Sequence, residues 1–419
     1  MSRLVIKNVG PILDVDIELK RFNVLIGVQS SGKSTIAKIL STCMWVEKEV
    51  CTTLDEHAIK DGEAFKDLVE HFHKMMGYFD ESSEVHYESA YIRIDYERGL
   101  LQIDMAKDAE YHRQKICYIP AERNMVTLPE LQGFEFGATN IRSFLFDWYD
   151  ARRLFTADNK TSVLQLGVNY FYDDGQLTYK DRIEHVNGRT YQIPLSSASS
   201  GLQSVVPLYI MLLYYSGKYF DLFDEKLSYL SKEKSRKMRR AITDQYLLPK
   251  YHPTDAPSER SALVEMLNDD IRAGKQDALL LYREYHDVME RLTTPVRTTF
   301  VIEEPEQNLF PDTQLQLLET LALLCRQEKE HCFTVTTHSP YVVNYLNILL
   351  HQDMEGRGQI DADDLNVFAV SEGHVQNLMA KNEKGEWIVN TYDLTEQMQR
   401  IFNEYQKLRG QDHEASSDR

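Results

Sequence analysis

Four short stretches of this sequence carry residue types and spacings that could do chemistry. The first is Gly27-Val28-Gln29-Ser30-Ser31-Gly32-Lys33-Ser34-Thr35, which has the G-x-x-x-x-G-K-[ST] spacing of a phosphate-binding loop. The glycines let backbone N–H groups turn toward an anion, and a helix starting here adds the positive end of its dipole. Lys33 is expected to reach the β- and γ-phosphates of ATP, with Ser34 on Mg²⁺. Gly27, Ser30, Ser31, Gly32, Lys33, Ser34 and Thr35 form the expected nucleotide cradle. The second stretch, Thr299 to Glu306 (TFVIEEPE), is an apolar strand ending in adjacent carboxylates. Beside a phosphate loop, Glu303 can hold the Mg²⁺ shell through water, and Glu304 can orient and deprotonate an attacking water. The third, Thr334 to Pro340 (TVTTHSP), is another strand ending in a polar residue. If it neighbours the Glu304 strand, it delivers His338 to the γ-phosphate; a lone histidine is otherwise a satisfied structural group. The fourth, Ser196 to Ser204 (SSASSGLQS), is a serine-rich loop with one glycine at a helix start. That is an anion site by the same physics, although serine also caps ordinary helices, the reading the residues alone favour.

The elements that must position these groups are legible from periodicity. Phe22 to Ile26 (FNVLI) reads as a buried strand before the phosphate loop, and Thr35 to Trp45 as the first turns of a helix after it. Residues 3–7 and 14–20 read as two strands joined at Gly10-Pro11, a pair expected to pack over the nucleotide-binding sheet. Residues 50–80 have helical spacing, with His71 and His73 on different faces and so unsuited to joint metal ligation. Residues 85–104 alternate as strands around a turn at Glu97-Arg98-Gly99. Lys115 to Ile119 is a strand stopped by Pro120, and Glu122 and Arg123 follow where open α/β sheets place ligand contacts. A capped solvent loop fits those two residues equally well. Aromatic helical segments fill 129–165, and Asp174-Gly175 and Asn187-Gly188 signal hairpins. The apolar run Val205 to Tyr215 carries Pro207, which suits the first turn of a buried helix.

Residues 206–295 are helical and highly charged. Within them, Lys232, Lys234, Arg236, Lys237, Arg239 and Arg240 read either as a nucleic-acid contact or, preferably, as a solvated face balanced by Asp224, Glu225 and Glu233. A turn is expected at 250–261, a strand at 366–370, a terminal helix at 390–408 and a frayed tail at 409–419.

Bulk properties narrow the function. The 419 residues carry 47 basic and 65 acidic side chains, a formal charge of −18, which argues against nonspecific coating of nucleic acid. Hydrophobic content of 42% supports a substantial core. The five cysteines have no C-x-x-C pair and are expected to be reduced thiols. With no signal peptide and no apolar run near ~20 residues, a cytoplasmic protein without a membrane segment is expected.

The order phosphate loop, SSGLQ, EEPE and TTHSP resembles the ABC-type ATPases of the RecF, SMC and OLD group. More narrowly it is similar to prokaryotic AAA-annotated ATPases paired with nuclease or toxin effectors in anti-phage systems. That resemblance implies an α/β P-loop NTPase of ABC-ATPase type, with a mixed central sheet, an N-terminal antiparallel part and a helical insertion. The implied core is 1–205 and 296–408, with a helical arm at 206–295. The resemblance further implies a homodimer sandwiching two ATPs, in which Ser200, Gly201 and Gln203 of the signature contact the γ-phosphate across the interface. Lys33 belongs to the Walker A loop, Glu303 takes the place of the Walker B acid, Glu304 of the catalytic glutamate and His338 of the switch histidine. Glu306 to Phe310 matches the loop by which the two sites sense each other. The chain departs from the pattern in having Glu303 for aspartate and Leu202 for a second glycine. It has no evident glutamine in the Mg²⁺-sensing loop, where Glu122 and Arg123 stand instead. The expected activity is ATP hydrolysis by a dimer that regulates or positions an effector. A DNA-handling ATPase and a near-inactive ATP-dependent scaffold holding a toxin are the alternatives.

Overall fold

A computed structural model describes residues 2–106, 109–128, 131, 137–223, 229–253, 259–351, 360–392 and 403–404. The expected tail at 409–419 and nearly all of the expected 390–408 helix lie outside the described residues, as does 254–258 of the expected turn.

The chain begins with the antiparallel pair β1 (Ser2–Val9) and β2 (Ile12–Leu19), then β3 (Phe22–Ile26) and α1 (Lys33–Thr53). After α2 (Gly62–His73) come β4 (Phe79–Glu88), β5 (Ile92–Glu97), β6 (Leu100–Met105) and β7 (Gln114–Ile119). Helix α3 (Asn140–Arg152) precedes a small sheet of β8 (Thr161–Ser162), β9 (Val168–Tyr172), β10 (Asp181–His185) and β11 (Tyr191–Pro194). Helix α4 (Ser200–Leu213) runs on through a π-turn, Tyr214–Lys218, into α5 (Tyr219–Asp221). An arm of α6 (Tyr229–Ile242), α7 (Leu248–Lys250), α8 (Arg260–Arg272) and α9 (Gln276–Thr293) returns to β12 (Arg297–Glu303). The remainder is α10 (Pro311–Cys325), β13 (Cys332–Thr337), α11 (Pro340–His351), β14 (Leu365–Ser371), β15 (His374–Asn377), β16 (Met379–Lys381) and β17 (Trp387–Val389).

Among the described residues, eleven strands form one mixed sheet in the order β6-β5-β4-β1-β2-β15-β14-β3-β13-β12-β7. The strands from β14 through β7 run parallel, and those from β6 through β2 run antiparallel. The two halves meet where β15 pairs with β2 through His374 and Asp14. The N-terminal pair therefore extends the sheet edge to edge, contrary to the expectation that it packs over it. The alternation of apolar residues in β1 and β2 buries one face against α1, so the sheet wraps that helix.

Two apolar clusters follow from this geometry. Leu4, Ile6, Val15 and Ile17 close on Ile36, Ile39, Leu40 and Cys43 of α1, with Leu25 and Val370 from the parallel half. On the opposite face, Phe22, Val24, Ile26, Phe300 and Phe333 pack against α3, α4, α10 and α11. Strand β3 is buried along its whole length because it feeds both clusters.

Three local expectations change. Ser199 caps α4 through its hydroxyl, which accepts from Leu202 N, so Pro207 lies inside the helix and not in its first turn. The 205/206 boundary also falls within α4, whose buried face belongs to the core, and the arm proper lies beyond α5. The Asp174-Gly175 signal lies in a longer loop, 173–180, because QLTYK forms no strand before Asp181. The base of the arm is seated on α1: Met238, Ile242, Val288 and Leu292 pack with Cys51.

Candidate functional site

The phosphate loop joins β3 to α1 at the carboxyl ends of the parallel strands. Two backbone requirements shape it. Gly32 has φ of 106°, a left-handed conformation that glycine tolerates, and Ser30 sits at 60°. A Cβ on Gly27 would stand 2.2 Å from the Val370 carbonyl oxygen, so that position admits only glycine without a shift. The Lys33 ammonium is folded under the loop, donating to Gly27 O at 2.9 Å and Val28 O at 2.7 Å. Burial pushes its pKa down to about 8, an effect that Glu304 and Glu306 partly oppose.

Strand β13 lies between β3 and β12, with Glu303 in register with Thr336. That order brings the three predicted chemical stretches together. Ser34 Oγ donates to Glu303 Oε2 at 3.2 Å, while Tyr118 OH, from β7, donates to Glu303 Oε1. Glu303 is 5% exposed, and burial raises its carboxyl pKa. Exposed Glu122 adds to that rise, and Lys38 opposes it. A hydroxyl beside a buried carboxylate is a hard oxygen donor set, which suits Mg²⁺ completed by phosphate and water oxygens. Among the described residues no group of three or more His, Cys, Asp or Glu side chains could hold a metal unaided. The fit is to a cation that arrives with a phosphate ligand.

Glu304 leaves the strand with φ of 44°, an uncommon conformation for a residue with a side chain. Its N–H donates to Thr336 O at 2.9 Å, so the turn is anchored to the neighbouring strand. This turn points the carboxylate at His338, whose Nε2 lies 3.0 Å from Glu304 Oε1. A carboxylate only accepts, so Nε2 carries a proton. His338 Nδ1 is 3.2 Å from Lys33 Nζ and 2.9 Å from Gly27 O. The neutral ring accepts there from Lys33, and the cationic ring donates to the carbonyl. The backbone N–H of His338 donates to Glu306 Oε1 at 2.7 Å, tying His338 to the loop after Glu304.

The SSGLQ stretch forms the first turn of α4. Ser200 is exposed at the helix N-terminus, where first-turn backbone N–H groups can donate to an anion. Gly201 lies against the 306–310 loop: a Cβ there would be 3.0 Å from Asn308 O. The Gln203 amide is turned back, donating to Ser196 O and Ala198 O, each at 2.9 Å. Gln203 thus braces the serine-rich loop, and only its carbonyl oxygen remains for a ligand. Of the six basic residues at 232–240, Arg236, Lys237, Arg239 and Arg240 are exposed on α6. The side chains of Lys232 and Lys234 lie outside the described residues, as do Asp224, Glu225 and Glu233.

Sequence reasoning did not find Tyr118 as the partner of Glu303, nor what Arg123 does. Tyr118 alternates correctly along β7 to face Val301 and Ala37, and that alternation was the available signal. Arg123 is fully buried and bonds to the backbone of Glu303 and Glu304, so it does not face a ligand. Among the described residues no helix is long and apolar enough to cross a membrane.

No family model matches the chain, and no curated protein does. Among solved structures it is similar to the SMC head domain from Thermotoga maritima, at 11% identity and a TM-score of 0.38, covering 91% of this chain and 98% of that one. It is also similar to a dimeric ATP-binding cassette in a post-hydrolysis state bound to ADP and Pi, at 13% identity and a TM-score of 0.31, covering 91% of this chain and 100% of that one. A third is the recombination mediator RecF bound to ATP, at 10% identity and a TM-score of 0.31, covering 90% of this chain and 96% of that one. At such values each is a likeness only, and the reading of the site stands on its own residues.

Proposed function

We propose that this chain binds and hydrolyses ATP with Mg²⁺, as one half of a dimer that closes around two nucleotides. The observation that carries the reading is the convergence of Lys33, Ser34, Glu303, Glu304 and His338 at the ends of three neighbouring parallel strands. In this reading Lys33 leaves the loop carbonyls for the phosphate oxygens, which offer it a stronger charge-assisted partner. Ser34 and Glu303 take the metal shell, and the metal, when bound, would screen phosphate charge and orient the γ-phosphate. Glu304 accepts a proton from the attacking water, and His338 fixes the carboxylate through Nε2–H. Exposed Ser200 and half-buried Gly201 then meet the partner's nucleotide across the interface.

The finer reading is a cytoplasmic ATPase whose opening and closing regulates a separate effector, a nuclease or toxin, in defence against phage. Its support is the motif resemblance. No described feature favours the DNA-handling alternative over it.

The test is the oligomeric mass of wild type and Glu304→Gln, each with and without ATP and Mg²⁺. The expected result is a stable ATP-dependent dimer in the variant, with hydrolysis reduced by about 10²–10⁴-fold. A Glu304→Gln protein that hydrolyses ATP at the wild-type rate would refute the assignment.

A further inference from the structure

Arg123 follows β7 and Pro120 in a short 3₁₀ segment, Ala121–Thr127, and its side chain is 0% exposed. A buried guanidinium is costly unless every donor is used, and burial pulls its pKa down to about 10. It makes no hydrogen bond to a carboxylate among the described residues. Its fork instead spans two segments. On one side it donates to the carbonyls of Glu303 at 2.8 Å, Glu304 at 2.7 Å and Pro305 at 3.5 Å. On the other it donates to Ser204 O at 3.1 Å and Ser204 Oγ at 3.1 Å, and a further bond reaches Pro120 O at 3.4 Å.

The two segments are the ones whose relative placement matters. The Glu303–Pro305 backbone carries the metal-side and base carboxylates, and Glu304 holds its aim only while the left-handed turn persists. Ser204 lies one helical turn after Ser200, so a displacement of the helix N-terminus moves Ser204 with it. The 306–310 loop touches Gly201 through Asn308 and, through Glu306, the His338 amide. The N-terminus of α4, the base and the switch histidine therefore share one hydrogen-bonded block, with Arg123 at its centre.

We propose that Arg123 is a positioning residue that couples the two nucleotide sites of the dimer. This rests on the sandwich reading above. The end of α4 belongs to the partner's nucleotide, whereas Glu304 belongs to the chain's own. Engagement of α4 by the partner's nucleotide is passed through Ser204 and Arg123 to the Glu304 carbonyl, setting the carboxylate to take the proton of the attacking water. Each site thereby reads the occupancy of the other.

The test is steady-state ATP hydrolysis against ATP concentration for wild type, Arg123→Lys and Ser204→Ala, alongside ATP affinity and dimer mass on the Glu304→Gln background. Lysine keeps the charge but cannot bridge both segments, and Ser204→Ala removes one bond while leaving the guanidinium in place. The expected result is a Hill coefficient of about 2 in wild type falling toward about 1 in Arg123→Lys, with kcat reduced by about 10–100-fold and ATP Kd within about threefold. Ser204→Ala is expected between the two. A wild type that hydrolyses ATP without ever dimerising defeats the sandwich reading and the relay with it. A wild type that dimerises cooperatively, beside an Arg123→Lys protein with unchanged Hill coefficient and kcat, defeats the relay alone and leaves Arg123 as a packing staple.

Discussion

Protonation of Lys33 should be coupled to nucleotide binding, and the coupling has a sign and a size. Its side chain is 4% exposed and its pKa is held at about 8 by burial, with Glu304 and Glu306 opposing that shift and His338 alongside. A polyphosphate delivered to the ammonium favours its charged form and returns the pKa toward the ordinary ~10.5. The free-state pKa is then the lower of the two, so binding takes up protons between the two values. At pH 7 the free lysine lacks about 0.1 proton, at pH 8 about 0.5 and at pH 9 about 0.9, and the bound form is close to fully protonated throughout. Apparent ATP affinity should fall above pH 8, by up to about tenfold per unit. Calorimetric titration of ATP at fixed pH, in two buffers of different ionisation enthalpy, reads the uptake directly. Omitting Mg²⁺ keeps Glu303 from contributing, and Lys33→Arg, permanently charged, supplies the zero. Equal uptake in wild type and Lys33→Arg, or proton release at pH 8, would refute the reasoning.

Other outcomes follow from contacts already described. Gly27→Ala places a Cβ 2.2 Å from the Val370 carbonyl oxygen. Equilibrium binding should therefore show ATP affinity lowered more than about tenfold, with the circular dichroism spectrum of the fold retained. Tyr118→Phe removes the hydroxyl that donates to Glu303, whose pKa burial already raises, so its protonated form gains further. Titration of activity with Mg²⁺ should show a several-fold higher half-saturating concentration, most marked as pH falls. Asp181→Ala strips the partner from Arg152, bonded at 2.7 Å with side chains only 8% and 10% exposed. Urea unfolding should report a loss of about 3–5 kcal/mol, with ATP affinity unchanged because the pair joins the end of α3 to β10 and not the strand ends that carry the site.

The parts of this site that could be read from sequence are those where chemistry and local structure coincide. The phosphate loop, the Glu303-Glu304 strand end and His338 each close a buried strand, and an apolar run followed by an abrupt polar residue is visible one segment at a time. Their convergence depended on β13 lying between β3 and β12, an order that a single sequence does not encode locally. Arg123 illustrates the limit. Its residue type suggested a ligand contact, but Pro120 turns the chain so that the guanidinium enters the core and spends its donors on carbonyls. Gln203 is similar: its position suggested a phosphate contact, yet its amide nitrogen closes a local loop. The extension of the sheet by β1 and β2 was hidden for another reason. Alternation reveals that one face of a strand is buried, not whether its cover is a second sheet or, as here, α1.

The seam between the two halves of the sheet has a mechanical consequence. Among the described residues, backbone bonding across it is confined to the β15 turn, where Gly373 O accepts from Leu13 N at 2.9 Å and Asp14 N at 3.1 Å, beside the His374–Asp14 pairing. The sheet is thus two ladders in practice, held together by the side chains that both send to α1 and by Asn366 Nδ2, which donates to Glu18 O at 2.7 Å. Amide exchange should divide the sheet there, with the β1, β2 and β4–β6 amides opening as one cooperative unit and the parallel strands as another. Any force that rotates the helix carrying Lys33 and Ser34 would be felt as shear between the two ladders, long before a hydrogen bond inside either one is stretched.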